Sequence, residues 1–294
     1  MLNEIDTTAR SAMTAGALIY LGAFLFGMIA LLRNKPYLRS IMFSLLLSGF
    51  ILQTLGLNLR GMQVKGCPLG NLFEIAQFIA WSIVLLYFIV GTAFSLRLLG
   101  LFTAGLASLL SLISLIIPGW DTAYAITTTP GNPWIELHAS LAIFSYAIFA
   151  SVALVSLMFL IQQHGLKKKR SMGLYQYLPS VQKLDLVAMR LLITGVMALS
   201  AALVFGILFW TSYPERIPTA KLLSTGLLWL GYVSVMILRL KKQLVPRRHA
   251  LATIALFIFA IASLWSVQSA LKENHEPSET PQHSEGSVSE PASE

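Results

Sequence analysis

Eight apolar runs, each long enough to cross a bilayer as an α-helix, divide this chain almost from end to end. They cover residues 12–32, 40–58, 72–94, 98–117, 137–163, 187–210, 221–240 and 249–270. A helix needs about 20 residues to span the hydrocarbon core, and in lipid it satisfies its own backbone polar groups. The sequence therefore predicts an all-α fold, a polytopic transmembrane helix bundle with about eight spans.

The composition excludes a soluble protein. Hydrophobic residues make up 56% of the chain and charged residues only 12%, whereas soluble domains carry about 25% charged residues. The net charge of +8 would suggest nucleic acid in a soluble protein, but here the basic residues lie in loops beside the apolar runs. Contact with anionic lipid and insertion topology explain such loops. We therefore expect membrane lipid as a partner and no nucleic acid.

Two domains are predicted from the distribution of apolar residues: a transmembrane domain over residues 1–271 and a polar tail over residues 272–294. The tail consists largely of Ser, Glu, Pro and His without apolar periodicity. Such a segment buries too little apolar surface to offset the entropy of ordering it, so we expect it to be disordered. The first run should stay in the mature protein, because it is too long for a signal peptide and no basic segment precedes it.

The basic loops also predict an orientation. Fifteen of the 21 Lys and Arg residues lie in loops that follow odd-numbered runs, and six lie on the opposite side. Because Lys and Arg accumulate on the cytoplasmic side, we predict that both termini lie outside. The external face then carries Cys67, Trp120, Trp134, His138 and His275.

Polar residues at the start of the third run form a first candidate site. Asn71, Glu74, Phe78 and Trp81 recur at three- and four-residue steps and so share one helical face. A carboxylate one turn into a membrane helix is costly unless it is paired, hydrated or protonated, which makes Glu74 a functional candidate. Alternatively, Pro68 and Asn71 start and cap the helix, and Glu74 complements its positive end.

A second candidate site centres on His138, at the outer mouth of the fifth run. Ser145 and Tyr146 follow seven and eight residues later, along the same helical stripe. A neutral imidazole near aromatic side chains suits axial coordination of heme iron. The alternative is a histidine of the interfacial aromatic belt, whose hydrogen bonds are satisfied within the protein.

The chain has no Walker loop, no dinucleotide fingerprint, no His-Glu-x-x-His and no Gly-x-Ser-x-Gly. Its two halves also lack the repeated Gly/Pro-broken helices typical of secondary transporters. We therefore expect no enzyme activity, and we expect a few polar residues in or just above the membrane to carry the function.

Both candidate sites belong to longer motifs. Residues 68–74 read Pro-Leu-Gly-Asn-Leu-Phe-Glu and are followed by Phe78 and Trp81, while Trp134 and His138 precede a Ser-Tyr-Ala triplet. These motifs resemble those of the cytochrome c assembly proteins (CcsA/ResC, HemX and YpjD), whose signature is Pro-Leu-x-Asn-Leu-x-Glu…Phe-x-x-Trp. The resemblance extends over about residues 55–270. It implies heme handling at the outer face of a bacterial inner (plasma) membrane or a plastid-type membrane.

The resemblance also implies a ligand set and partners. Heme is the expected cofactor, with His138 as the axial ligand of its iron and with Trp134, Tyr146 and Trp120 as neighbouring ring systems. His275 lies about where the family's heme exporters have a second external histidine. Beyond heme, the expected partners are apocytochrome c or another membrane subunit of cytochrome c maturation.

The chain departs from the heme exporters in two respects. Before the seventh run, residues 210–221 lack the exporters' external motif Trp-x-Trp-Asp-Pro-Lys-Glu. Cys67 and the Met236–Arg239 segment stand where exporters have intramembrane histidines. These departures favour the HemX/YpjD branch and leave two alternatives open. One is a regulatory or scaffold membrane protein without heme, and the other is a small-molecule transporter whose pathway Glu74, Ser145 and Tyr146 would line.

Overall fold

The part of the chain that the structure describes forms eight long α-helices. The structure, a computed structural model, describes residues 2–33, 39–64, 66–91, 97–121, 133–168, 178–212 and 219–273. The helices are α1 (Leu2–Leu32), α2 (Arg39–Val64), α3 (Leu72–Leu86), α4 (Arg97–Ile116), α5 (Pro133–Lys167), α6 (Val181–Ser212), α7 (Thr219–Leu240) and α8 (Pro246–Glu273). A π-helical turn, Tyr87–Gly91, extends α3, and a 3-10 turn, Pro118–Trp120, follows α4. Each predicted run overlaps one described helix, so the all-α prediction is confirmed.

Seven of the described helices, α1 to α7, are long and apolar enough to cross a membrane. The eighth, α8, has 28 residues and packs against α5 and α7. The prediction of a multi-pass membrane bundle is therefore confirmed, while the direction in which it crosses the membrane stays a prediction. The predicted disordered tail lies, from residue 274 onward, outside the described residues.

The helices pack as two sequential groups of four. In the first group α1 contacts α2 and α4, and α3 contacts α2 and α4. In the second group α5 contacts α6 and α8, and α7 contacts both α6 and α8. Helix α5 also packs against α3, and its membrane segment is more deeply buried than that of any other candidate span. It is therefore the central helix that joins the two groups.

Small residues bring α1 and α2 into close contact. A Cβ atom at Gly16 would lie 3.1 Å from the carbonyl oxygen of Gly49, and one at Gly49 would lie 2.5 Å from Cε1 of Tyr20. Since lipid is as apolar as a leucine side chain, membrane helices associate through such close packing rather than through the hydrophobic effect. These glycines therefore set the distance between the two helices.

One end of the bundle collects the start of α1, the end of α2, the start of α3 and the turn after α4; we call it the first end. Side chains from these four segments contact one another there: Asp6, Arg60, Glu74 and Asp121. The start of α5 lies at the same end, because the Glu136 carboxylate covers the backbone of residue 66 in the loop before α3. Both predicted sites are consequently at the first end.

Candidate functional site at the first end of the bundle

A buried set of ion pairs joins α1, α2, α3 and the turn after α4; we call it the arginine cluster. Nε of Arg60 lies 2.9 Å from Oε1 of Glu74, and the two terminal nitrogens of the same guanidinium contact Asp6 and Asp121. Arg10 adds a second cation against Asp121. Arg60 is 8% exposed and Glu74 0%. Burying a carboxylate is tolerable here because a cation and further donors pair with it.

Asn71 and Glu74 also fix the start of α3. The side-chain oxygen of Asn71 accepts a hydrogen bond from the backbone N–H of Glu74 at 2.9 Å. In return, the Glu74 carboxylate accepts one from the backbone N–H of Gly70, also at 2.9 Å. The first bond satisfies a backbone donor that the helix start leaves unpaired, and the second ties the loop residue before the cap to the first turn. The geometry thus favours the structural interpretation of these two residues.

Trp81, the last of the four residues predicted to share one face of α3, lies in a separate environment. Its ring stacks on Phe50 with centroids 5.3 Å apart, and its indole N–H donates to the hydroxyl of Thr54 at 2.8 Å. Phe78 packs beside it at 5.6 Å. Trp81 therefore contributes to the contact between α2 and α3 rather than to the arginine cluster.

The first group of helices contains a layer of buried polar side chains that the sequence analysis did not predict. Gln53 accepts a hydrogen bond from the hydroxyl of Tyr20 at 2.9 Å and donates to the side chain of Gln77 at 2.8 Å. Gln77 in turn donates to Ser114 at 2.9 Å, and Gln53 donates to Ser111 at 3.2 Å. Two glutamines within apolar runs were the available signal, since a membrane helix buries such a side chain only with partners.

His138 lies in the second turn of α5, half-buried against α6. Its Nδ1 atom is 2.6 Å from the carbonyl oxygen of Ala202. The ring packs on the backbone of Gly206, where a Cβ atom would lie 2.7 Å from Cε1. One turn earlier, Trp134 stacks on Phe205 with centroids 5.9 Å apart and 28° between the planes. The structure thus places His138 and Trp134 together along the contact between α5 and α6.

The other residues predicted to surround heme lie elsewhere. Tyr146 is buried in the main core, two turns deeper along α5 than His138, and Ser145 beside it is fully buried. Trp120 packs on an apolar group in the first four helices that includes Met13 and Phe73. His275 lies outside the described residues. The described residues therefore bring together His138 and Trp134, but not the full predicted set.

Cys67 lies half-buried in the loop before α3. Burial raises the pKa of its thiol to about 11, and the nearby carboxylates of Glu136 and Glu74 contribute to the increase. A thiol with this pKa is protonated at neutral pH, and only the thiolate is a good metal ligand. Within the described ranges, no three His, Cys, Asp or Glu residues are grouped to hold a metal ion.

At the opposite end, a half-buried contact joins α6, α7 and α8. Arg239 pairs with Asp185 and also donates to the carbonyl oxygen of Leu244 at 2.7 Å. His249 is nearly fully buried, with Nδ1 3.9 Å from an oxygen of Asp185. The sequence did not reveal this contact, because Asp185 lies 54 residues before Arg239.

Comparison with known proteins identifies the family. The family described as "Cytochrome C assembly protein" matches residues 69–275, which include both candidate sites. Protein HemX of Bacillus subtilis (strain 168) is 26% identical over 256 residues, covering 86% of this chain and 93% of HemX. Protein HemX of Brevibacillus brevis is 27% identical over 191 residues, covering 65% and 70%. The cytochrome c biogenesis protein CcsA of Nostoc punctiforme is 26% identical over 166 residues, covering 55% of this chain and 45% of CcsA. The chain therefore belongs to the cytochrome c assembly protein family, as its two motifs predicted.

Proposed function

We propose that this protein handles heme during cytochrome c biogenesis and binds it at the first end of the bundle through His138. Membership of the cytochrome c assembly family supports the broad function. The finer proposal rests on the position of His138, which is half-buried in the second turn of α5. Trp134, one turn earlier on the same helix, has an aromatic ring and is 60% exposed. An imidazole with an accessible planar neighbour suits a flat, iron-bearing ligand.

The donor set fits ligation of heme from one side. His138 offers one imidazole, and Trp134 offers an apolar face that a porphyrin can cover. Bound heme would supply an iron centre, which the imidazole of His138 would hold. The chain would hold and orient the ring without catalysing its covalent attachment, which we assign to a partner. Apocytochrome c, or another membrane subunit of cytochrome c maturation, is the partner class that fits this role.

The visible spectrum of the detergent-purified protein tests this proposal. Protein from heme-supplied cells should show a Soret band, and His138→Ala should lose it. His164→Ala is the matched control, because His164 is an exposed histidine near the other end of the same helix. An undiminished band in His138→Ala would refute ligation by this residue.

A non-heme scaffold or regulatory membrane protein is the second candidate function. The missing tryptophan-rich motif before α7 favours it. In that case the wild-type protein would show no Soret band after heme supply, while the bundle would still be folded by circular dichroism.

We also propose that the first end faces the outside of a bacterial inner membrane, because the basic loops concentrate at the other end. A cysteine placed at Glu4, in a Cys67→Ser background, should react with a membrane-impermeant maleimide in intact cells. A cysteine at Lys241 should react only after permeabilisation; both positions are exposed in the structure. The reverse labelling pattern would overturn the orientation and the external heme site together.

A further inference from the structure

We propose that α6 positions His138 for ligation, by fixing the tautomer of its ring through the Ala202 carbonyl and by seating the ring on the bare backbone of Gly206. Nε2 is then the atom that can bind a metal. This inference deepens the proposed function. Its consequence for heme binding rests on that function, but the tautomer and position of the His138 ring do not.

The contact between Nδ1 and Ala202 determines where the hydrogen lies. A carbonyl oxygen only accepts hydrogen bonds, so at 2.6 Å from it Nδ1 must be the donor. In a neutral imidazole, one nitrogen carries the hydrogen and the other keeps the lone pair. The neutral ring therefore exposes its lone pair at Nε2. Metal-binding histidines commonly donate their other N–H to a carbonyl or carboxylate in this way, which orients the ring.

Gly206 makes this contact sterically possible. A Cβ atom there would lie 2.7 Å from Cε1, 3.0 Å from Nδ1 and 3.4 Å from Nε2 of His138. The first two distances are well below the ordinary separation of nonbonded heavy atoms, about 3.5–4.0 Å, and the third is just below it. The methyl group of alanine would therefore move the ring away from α6 and lengthen the hydrogen bond to Ala202. At Ala202 and Gly206, helix α6 contacts the ring of His138 through its backbone.

Gly226 in α7 supplies a matched control. A Cβ atom at Gly226 would have no neighbour within 4 Å. Glycine to alanine therefore adds the same methyl group to a membrane helix, without touching any described side chain. A general effect of alanine on helix stability or insertion would appear in both variants, whereas an effect on His138 would appear only in Gly206→Ala.

Nitrogen NMR of heme-free, ¹⁵N-histidine-labelled protein in detergent tests the inference directly. His138→Gln assigns the resonances of the ring, and alkaline pH keeps the histidines neutral. We expect wild-type His138 to carry its hydrogen on Nδ1 and a lone pair on Nε2. Gly206→Ala should shift the ring toward a mixture of tautomers, while Gly226→Ala should match wild type. A wild-type ring protonated on Nε2 would overturn the inference, even if Gly206→Ala failed to fold.

Heme titration separates this inference from the proposed function. Loss of an outer hydrogen bond to a metal ligand typically weakens binding 10- to 100-fold, so Gly206→Ala should reduce heme affinity by roughly that factor. If wild type binds no heme but shows the expected tautomer, the proposed function fails and the positioning role stands. If wild type and Gly206→Ala bind heme equally, with identical tautomers, the positioning role fails and the proposed function stands.

Discussion

Replacing Arg60 by methionine should destabilise the bundle strongly, because this substitution removes the guanidinium that lies against the buried carboxylate of Glu74. Methionine keeps much of the apolar stem and removes the guanidinium. Glu74 is 0% exposed, and Nε of Arg60 lies 2.9 Å from its Oε1. Removing one partner of a buried ion pair costs about 3–5 kcal/mol. The contact with Asp6, whose side chain is 43% exposed, should add less than about 1 kcal/mol.

The free energy of unfolding can be measured by titrating the protein in mixed micelles with a denaturing detergent and following helix content. Arg60→Met should lower it by about 3–5 kcal/mol. The double variant Arg60→Met/Glu74→Gln should recover most of this loss, because glutamine keeps an acceptor for the N–H of Gly70 and carries no charge. Arg10→Met is the control: its side chain is 38% exposed, so the loss should be about 1 kcal/mol or less. Equal losses in the two single variants, or no recovery in the double variant, would refute this account of the cluster.

Two further predictions concern the loop before α3 and the contact between α1 and α2. With a thiol pKa of about 11, Cys67 should be alkylated slowly at neutral pH, because the thiolate is the nucleophile. The alkylation rate should rise about tenfold per pH unit as the thiolate fraction grows. A rate that levels off near pH 9, about 2 units below this pKa, would contradict the burial argument. Gly49→Val should cost about 1–3 kcal/mol by overpacking, since its Cβ would lie 2.5 Å from the ring of Tyr20. Gly22→Val, with nothing within 4 Å of its Cβ, should lower the unfolding free energy measurably less, and equal losses would count against the packing argument.

The helices were predictable because each one carries its own hydrophobic signal. The apolar runs gave their number and order, but not their full lengths. Helix α1 begins at Leu2, although its apolar run starts at residue 12. The polar turns between these points include Asp6, which pairs with a cation from α2, and Arg10, which pairs with a carboxylate from the turn after α4. A local pattern cannot show such partners.

The candidate sites were predictable only where the residues that form them are close together in the sequence. Sequence spacing located His138, and also the cap formed by Asn71 and Glu74. It could not choose between a functional and a structural Glu74, because the partner that decides, Arg60, lies on another helix. It also missed Ala202 and Gly206, which act on His138 through backbone atoms and the absence of a side chain. Neither property marks a residue as part of a site.

The arginine cluster has a consequence for the order in which this protein assembles. All of its charges belong to the first 121 residues, and the last to be synthesised is Asp121, just after α4. The first four helices can thus complete their ion pairs while α5 is still within the ribosome. Helix α5, which carries His138, then inserts beside a half-bundle whose buried charges already have partners, and its contacts with α6 and α8 form later.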